Sequence, residues 1–298
     1  MPLFKLQQNK ISPIKSVAFA KEKDIQEITE NNIEAIFGLQ FVATEFTVDK
    51  FRIDSVAFDS ETNSFILIEY KKSQNFSVID QGYAYLSLML NRKADFVLKY
   101  NEVFGKSENK QFFDWSQSRV IFVSPSFTDF QIQAIDFKDL PIELWEVKAY
   151  ENNIIRYDPI KSQVASQASI STVSKPSKTV NSVNKEIQVF TEEFLLENSS
   201  QDIIDAYYSI KKMIYEINND VEEKVKKTMN CFYADGKGLI WVAPLKNKII
   251  LYLRKGDYLD KTDSIIPPGW GNYPEIRLPS DEIDLFFIRK LIEKANSY

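Results

Sequence analysis

Two apolar runs, 51–58 and 64–71, are separated by the turn-rich stretch Asp59-Ser60-Glu61-Thr62-Asn63-Ser64. Runs this short, rich in β-branched and aromatic residues and bounded by turn formers, predict two strands joined as a hairpin. Paired positions in a hairpin add to a near constant, so residues near 54 face residues near 68. Asp54 then lies beside Glu69. Side chains alternate along a strand, so Phe65, Leu67, Glu69 and Lys71 share one face, with Glu69 and Lys71 about 7 Å apart. The hairpin thus brings two carboxylates and a lysine together where core residues belong.

Carboxylates brought close repel each other, and burying them is costly without a cation. Mg²⁺ or Mn²⁺ answers both difficulties, because such ions take oxygen ligands and keep several waters for a substrate phosphate. The plainer alternative is that Asp54 ends a strand and that Glu69 and Lys71 form a solvated pair where the chain leaves the core. The rest of the composition narrows the chemistry. The 298 residues contain no histidine, so histidine-based triads, histidine general bases and histidine-ligated metals are excluded. The single Cys231 excludes an intrachain disulfide and a cysteine-rich zinc site. None of the eight glycines forms a phosphate-loop or dinucleotide fingerprint. No apolar run approaches the length of a membrane span, and the start does not read as a secretory leader. A cytoplasmic protein without a membrane partner is expected.

The chain divides near residue 160. Residues 161–185 are mostly Ser, Thr, Val, Asn and Lys, with no acid and no aromatic, which predicts a flexible basic linker. The expected organisation is a domain over 1–160, a linker over 161–186 and an α+β accessory domain over 187–298. Residues 1–160 carry 18 Lys and Arg against 23 Asp and Glu, a net of −5, and the remainder is neutral. Neither part shows the strongly basic balance that announces nucleic acid.

The first part alternates between helical and strand periodicity, an α/β pattern. The spacing predicts a helix over 22–37, strands over 41–49, 51–58 and 64–71, a helix over 77–93 capped by Ser77, and strands over 94–100 and 119–125. A helix near 127–137 and strands over 142–150 and 153–157 follow. On a wheel of about 100° per residue, Glu22 falls inside the arc of Ile25, Ile28, Ile33, Ile36 and Phe37, whereas Glu27 and Glu34 face water. Gln81 and Tyr85, four apart, share one helix face. In the second part helices are expected at 187–197, 201–219 and 280–295, with strands at 230–234, 239–244 and 248–254. Trp241, Trp270 and Tyr273 read first as core aromatics and second as a binding surface.

Asp54 followed fifteen residues later by Glu69-Tyr70-Lys71 resembles the core of the PD-(D/E)XK nucleases, in an αβββαβ arrangement over roughly residues 20–125. The Arg-Ile-Asp at 52–54, in place of a proline before the aspartate, is similar to the NucS/EndoMS mismatch endonucleases. The resemblance implies a metal site of Asp54, Glu69 and the Tyr70 backbone carbonyl, holding Mg²⁺ or Mn²⁺. It also implies that Lys71 positions the attacking water, with Glu22 from the earlier helix and Gln81 and Tyr85 from the later one completing the site. Hydrolysis of a phosphodiester, DNA ahead of RNA, leaving a 5′-phosphate, is the implied reaction. Two other readings stand beside it: a nucleic-acid-binding module that does not cut, and an interaction scaffold for a protein partner or a second copy. Residues 200–297 resemble a domain of unknown function sometimes labelled a predicted transport protein, which implies no chemistry. Lys72 and Gln74 are left between substrate backbone and solvent.

Overall fold

The computed structural model describes residues 3–73, 77–135, 137, 139–161, 178–262 and 264–298, and the chain folds as two compact units, Met1–Val189 and Phe190–Tyr298.

The first unit opens with a two-stranded ribbon of β1 (Leu3–Gln7) and β2 (Lys10–Ile14). Its main sheet is built from β3 (Ser16–Val17), β4 (Gln40–Val48), β5 (Phe51–Asp59), β6 (Ser64–Tyr70), β7 (Arg119–Ser124), β8 (Ile142–Tyr150) and β9 (Ile154–Pro159). The order is β3-β8-β7-β6-β5-β4, with β9 also paired to β8. β6, β7 and β8 run parallel, and β5 is antiparallel to both β4 and β6. Every residue of β6 is buried, as expected of a strand covered on both faces, where no polar alternation is needed.

One face carries α1 (Glu22–Glu30) and α2 (Ile33–Phe37), packed through Ile25, Ile33 and Phe37 on Ile66, Ile68 and Tyr70. The other carries α3 (Val78–Asn91) and α4 (Lys93–Phe104), packed on Phe58, Phe65 and Leu67. Ser77 caps α3 by accepting the Asp80 N–H at 3.3 Å. Gly82 lets α3 settle close to the sheet: a Cβ there would lie 2.6 Å from Ile142 Cδ1. The helix–three strands–helix–strand order expected of the core is present, and the fold is α/β.

Three expectations are corrected. The expected helix over 22–37 breaks at Asn31 and Asn32 into α1 and α2. Residues 94–100, expected as a strand, belong to α4, whose buried Phe96, Val97 and Tyr100 sit at helical spacing. The signal lay just beyond the run, at Gly105, which ends the helix with φ +60°. The linker expected over 161–186 lies outside the described residues at 162–177, but its end is α6 (Lys178–Glu186), preceded in the chain by the short α5 (Asp129–Ala134). Val183 and Ile187 are 0% and 4% exposed, in the same core as Phe65. The Tyr83 hydroxyl donates to Asn184 at 3.0 Å, and Lys93 pairs with Glu186 at 2.5 Å. The first unit therefore extends past the expected boundary at 160.

The second unit is an antiparallel sheet in the order β10 (Glu222–Val225), β11 (Asn230–Ala234), β12 (Lys237–Leu245), β13 (Lys248–Leu253), β14 (Glu275–Pro279). The short α7 (Glu192–Leu196) precedes α8 (Gln201–Ile217), and α8 with α9 (Leu285–Ser297) covers one face. β10 and β14 were not expected; both are short and only half-buried, which weakens their apolar pattern. On the opposite face Trp241 is fully buried, with Tyr273 4.3 Å away between ring centroids, so Trp241 is a core residue. No helix among the described residues is long and apolar enough to cross a membrane.

A fragment ending at residue 165 lacks Val183 and Ile187. Burying two such side chains contributes about 3–5 kcal/mol, so a fragment 1–189 should exceed fragment 1–165 in stability by about that amount in urea unfolding.

Candidate active site

The β5–β6 ladder runs from Asp59↔Ser64 to Ser55↔Ile68. Beyond Ser55 side chains take over the backbone groups of the two strands. The Tyr70 N–H donates to Asp54 Oδ2 at 3.0 Å, and Gln26 Nε2 from α1 donates to the Asp54 carbonyl at 3.1 Å. The Tyr85 hydroxyl donates to the Arg52 carbonyl at 3.3 Å. On the far side of β6, the Lys71 N–H continues the sheet onto the Val123 carbonyl at 2.9 Å.

Glu69 stands at this parting with its side chain 4% exposed. Its Oε1 accepts from Lys71 Nζ at 2.5 Å and from Gln81 Nε2 at 2.6 Å. Gln81 Nε2 also reaches the Tyr85 hydroxyl at 3.1 Å. Glu69 Oε2 is buried and has no hydrogen-bond partner among the described residues. Such an atom forgoes its hydration without compensation, at a cost of about 1–3 kcal/mol or more for a charged group.

Burial, and then the charge of Glu69, push the Asp54 carboxyl up to about 6; the Tyr70 N–H and Lys71 act in the opposite sense. Burial and Glu69 also push the Tyr85 hydroxyl well above its ordinary range, so it stays protonated and donates. The site is thus short of positive charge, with one ammonium for two carboxylates.

Asp54, Glu69, Lys71, Gln81 and Tyr85 come together as the sequence implied. Glu22 does not join them. It is exposed, and its Oε2 accepts the Lys72 N–H at 2.8 Å, one residue beyond Lys71. The wheel misleads there because Glu22 is the first residue of α1, where side chains reach forward past the helix end. Among the described residues no three acidic or cysteine side chains converge to hold a metal. The Tyr70 side chain faces α1, so only its backbone belongs to this face. Lys72 Nζ donates to the Ala20 carbonyl at 2.5 Å, and Gln74 lies outside the described residues.

Sequence reasoning missed Gln26, Glu30 and Ser55. Gln26 is 4% exposed, and its amide bonds Glu30, Thr44 and the Asp54 carbonyl. The Ser55 hydroxyl donates to Glu30 at 2.5 Å and lies 3.1 Å from the Tyr70 hydroxyl. The signal was available: Gln26 follows Ile25 directly and falls inside the same apolar arc.

The chain is 40% identical over 301 residues to an uncharacterized protein of Haemophilus influenzae, covering 99% of both. No family model matches the chain. Among solved structures it is similar to an EndoMS–double-stranded DNA complex, at 14% identity and a TM-score of 0.23, over 49% of this chain and 64% of that one. It is also similar to EndoMS in its apo form, at 14% identity and a TM-score of 0.25, over 46% and 60%. The chain therefore spans less than two thirds of the length of those solved proteins.

A carboxyl pushed up in the folded chain binds its proton more tightly there than in the unfolded chain. Asp54 therefore costs stability as the pH rises from about 4 through about 6, and the full cost is present above that. Asp54→Asn keeps an acceptor for the Tyr70 N–H and removes the charge. It should unfold in urea at pH 7.5 with about 1–3 kcal/mol more stability than the wild type, the difference fading near pH 4. A variant less stable at pH 7.5 would contradict this electrostatic account.

Proposed function

The chain belongs to the same family as the Haemophilus influenzae protein, which it matches across both units, and we propose that its first unit is a metal-dependent nuclease acting on DNA. The observation that carries this reading is the unpartnered, buried Oε2 of Glu69 beside a second carboxylate with an elevated pKa. A hard cation relieves both at once, and Mg²⁺ is typically held by one or two carboxylates with waters and substrate phosphate filling the remainder. Two carboxylates without a third acid suit that ion.

Asp54 and Glu69, with the Tyr70 carbonyl, are the residues that would hold Mg²⁺ or Mn²⁺. Bound there, the ion supplies Lewis-acid polarisation of a phosphate oxygen. Lys71, anchored on Glu69 Oε1, sets an ammonium where negative charge grows on the phosphoryl oxygens, and it orients the attacking water. Gln81 fixes the Glu69 carboxylate from the other side, and Tyr85 fixes Gln81 and the Arg52 carbonyl together. Without histidine, proton movement falls to Lys71, the carboxylates and water. The excess of acids over bases in residues 1–160 favours a second reading, in which this fold binds nucleic acid or a protein without cutting.

Nicking of supercoiled plasmid with Mn²⁺ or Mg²⁺, abolished by EDTA, is the expected activity. Asp54→Ala and Glu69→Ala should remove it, and Lys71→Ala should lower it about 10²–10³-fold. DNA binding without turnover on any substrate would favour the non-cutting module. Failure of the wild type to bind Mn²⁺ at millimolar concentration in calorimetry would overturn the metal site itself.

A further inference from the structure

The β1–β2 ribbon has two unlike faces. Its register pairs Phe4 with Pro13, Leu6 with Ile11, Leu3 with Ile14, Lys5 with Ser12 and Gln7 with Lys10. Side chains alternate along each strand, so Phe4, Leu6, Ile11 and Pro13 make one apolar face, and Leu3, Lys5, Lys10 and Ile14 belong to the other. Leu3 and Ile14 line a cavity with Val17, Phe19 and Val147 of the main sheet. The apolar face has no such backing: Phe4, Leu6 and Ile11 are 48%, 68% and 64% exposed. An isolated two-stranded hairpin is at best marginally stable in water, and an apolar patch of this kind marks a contact surface.

A groove of matching character lies at the far edge of the sheet. It has a volume of about 430 Å³ and is formed by residues 43–47 of β4 with Asp95, Leu98, Lys99 and Glu102 of α4. β4 pairs with β5 alone, so no strand among the described residues covers its outer side. Phe46 and Leu98, the latter 70% exposed, give the groove its apolar wall. Glu45, Asp95 and Glu102 line it against the single Lys99. Glu102 pairs with Lys99 at 3.2 Å, and Glu45 with Arg52 at 2.8 Å and Lys23 at 3.7 Å. These pairs are solvent-exposed and hold their partners weakly.

We infer that the apolar face of the ribbon docks in the β4–α4 groove of a second copy of this chain, and that two copies exchange ribbons to form a dimer. The ribbon does not reach its own groove. It joins β3 through Lys15 alone, and β3 lies five strand spacings, about 24 Å, from β4, whereas five residues of strand extend about 17 Å. Charge favours the same partner: residues 1–21 carry four lysines and no carboxylate, and 22–160 carry 23 acidic and 14 basic residues. Contact is made by side chains and not by a continued ladder, because Glu45 kinks β4 at φ +48° and Pro13 removes a donor from β2. Reciprocal exchange closes as a two-fold pair, which leaves no ribbon or groove open to a third copy. The inference stands apart from the nuclease reading.

The test is sedimentation velocity of the full chain from about 1 to 100 µM. The wild type should show a dimer. The arm variant Leu6→Ser, Ile11→Ser and the groove variant Leu98→Lys should each raise the dimer dissociation constant about tenfold or more. All three side chains are exposed, so urea unfolding of both variants should match the wild type. Mixing the two variants should restore pairing in part, because the ribbon of the Leu98→Lys chain still fits the groove of the arm variant. A wild type that stays monomeric throughout would overturn the exchange and leave the nuclease reading untouched. Loss of pairing in the arm variant, with the Leu98→Lys chain still dimeric, would overturn the groove and make the contact one of ribbon against ribbon. A dimer that neither variant weakens would overturn both surfaces. Binding of a monomeric wild type, but not of the arm variant, to phosphatidylglycerol vesicles would assign the ribbon to a membrane surface instead.

Discussion

The candidate site depends on one hydrogen bond that leaves the regular sheet pattern, from the Tyr70 N–H to the Asp54 carboxylate. A side chain in that position stands where the ladder ends at Ser55, while the donor remains satisfied by a charged acceptor worth about 1.5–3 kcal/mol. That end of the ladder would be costly if the other backbone groups were left bare. Gln26 and Tyr85 close it from opposite faces, taking the Asp54 and Arg52 carbonyls. The end of the ladder is thus closed by helices on both sides of the sheet, and the acid that stands there is also the acid that the site displays.

Other buried acids of the molecule show what compensation looks like. Asp59, 3% exposed in the same strand as Asp54, has Arg119 at 3.4 Å, and Arg119 also pairs with Glu143. In the second unit Glu223 receives Lys211 and Asn230 on one oxygen and Tyr215 on the other. Burial opposes its charge, yet Lys211, Tyr215 and Asn230 together hold its carboxyl below the ordinary range. Glu69 differs in having Lys71 and Gln81 on the same oxygen and no hydrogen-bond partner on the second among the described residues.

The pairing of Asp54 with Glu69 was legible because a hairpin's arithmetic is rigid: once the turn at 59–64 is recognised, register follows. Gln81 and Tyr85 were legible because a helix keeps residues four apart on one face. Glu22 failed because the wheel describes a helix interior, and the first residue of α1 is not interior. Residues 94–100 failed because seven apolar-rich residues fit either period, and the deciding residues, Phe104 and Gly105, lay outside the run. Composition misjudged 178–186, where a polar helix is held by the buried Val183 and the following Ile187, with Val180 packed beside them and Asn184 and Glu186 bonded to Tyr83 and Lys93.

That helix has a consequence for how the chain is made. Tyr83 and Asn184 are 101 positions apart in sequence, so the layer containing α3 cannot be sealed during synthesis until residue 187 has emerged. The second unit begins three residues later, at Phe190. The second core, which needs Ile288 and Leu291 of α9, is completed well after the first. Until α6 docks, the nascent first unit leaves open the flank of α3 at Tyr83, on the same helix that carries Gln81 to Glu69, so the site gains its final rigidity late.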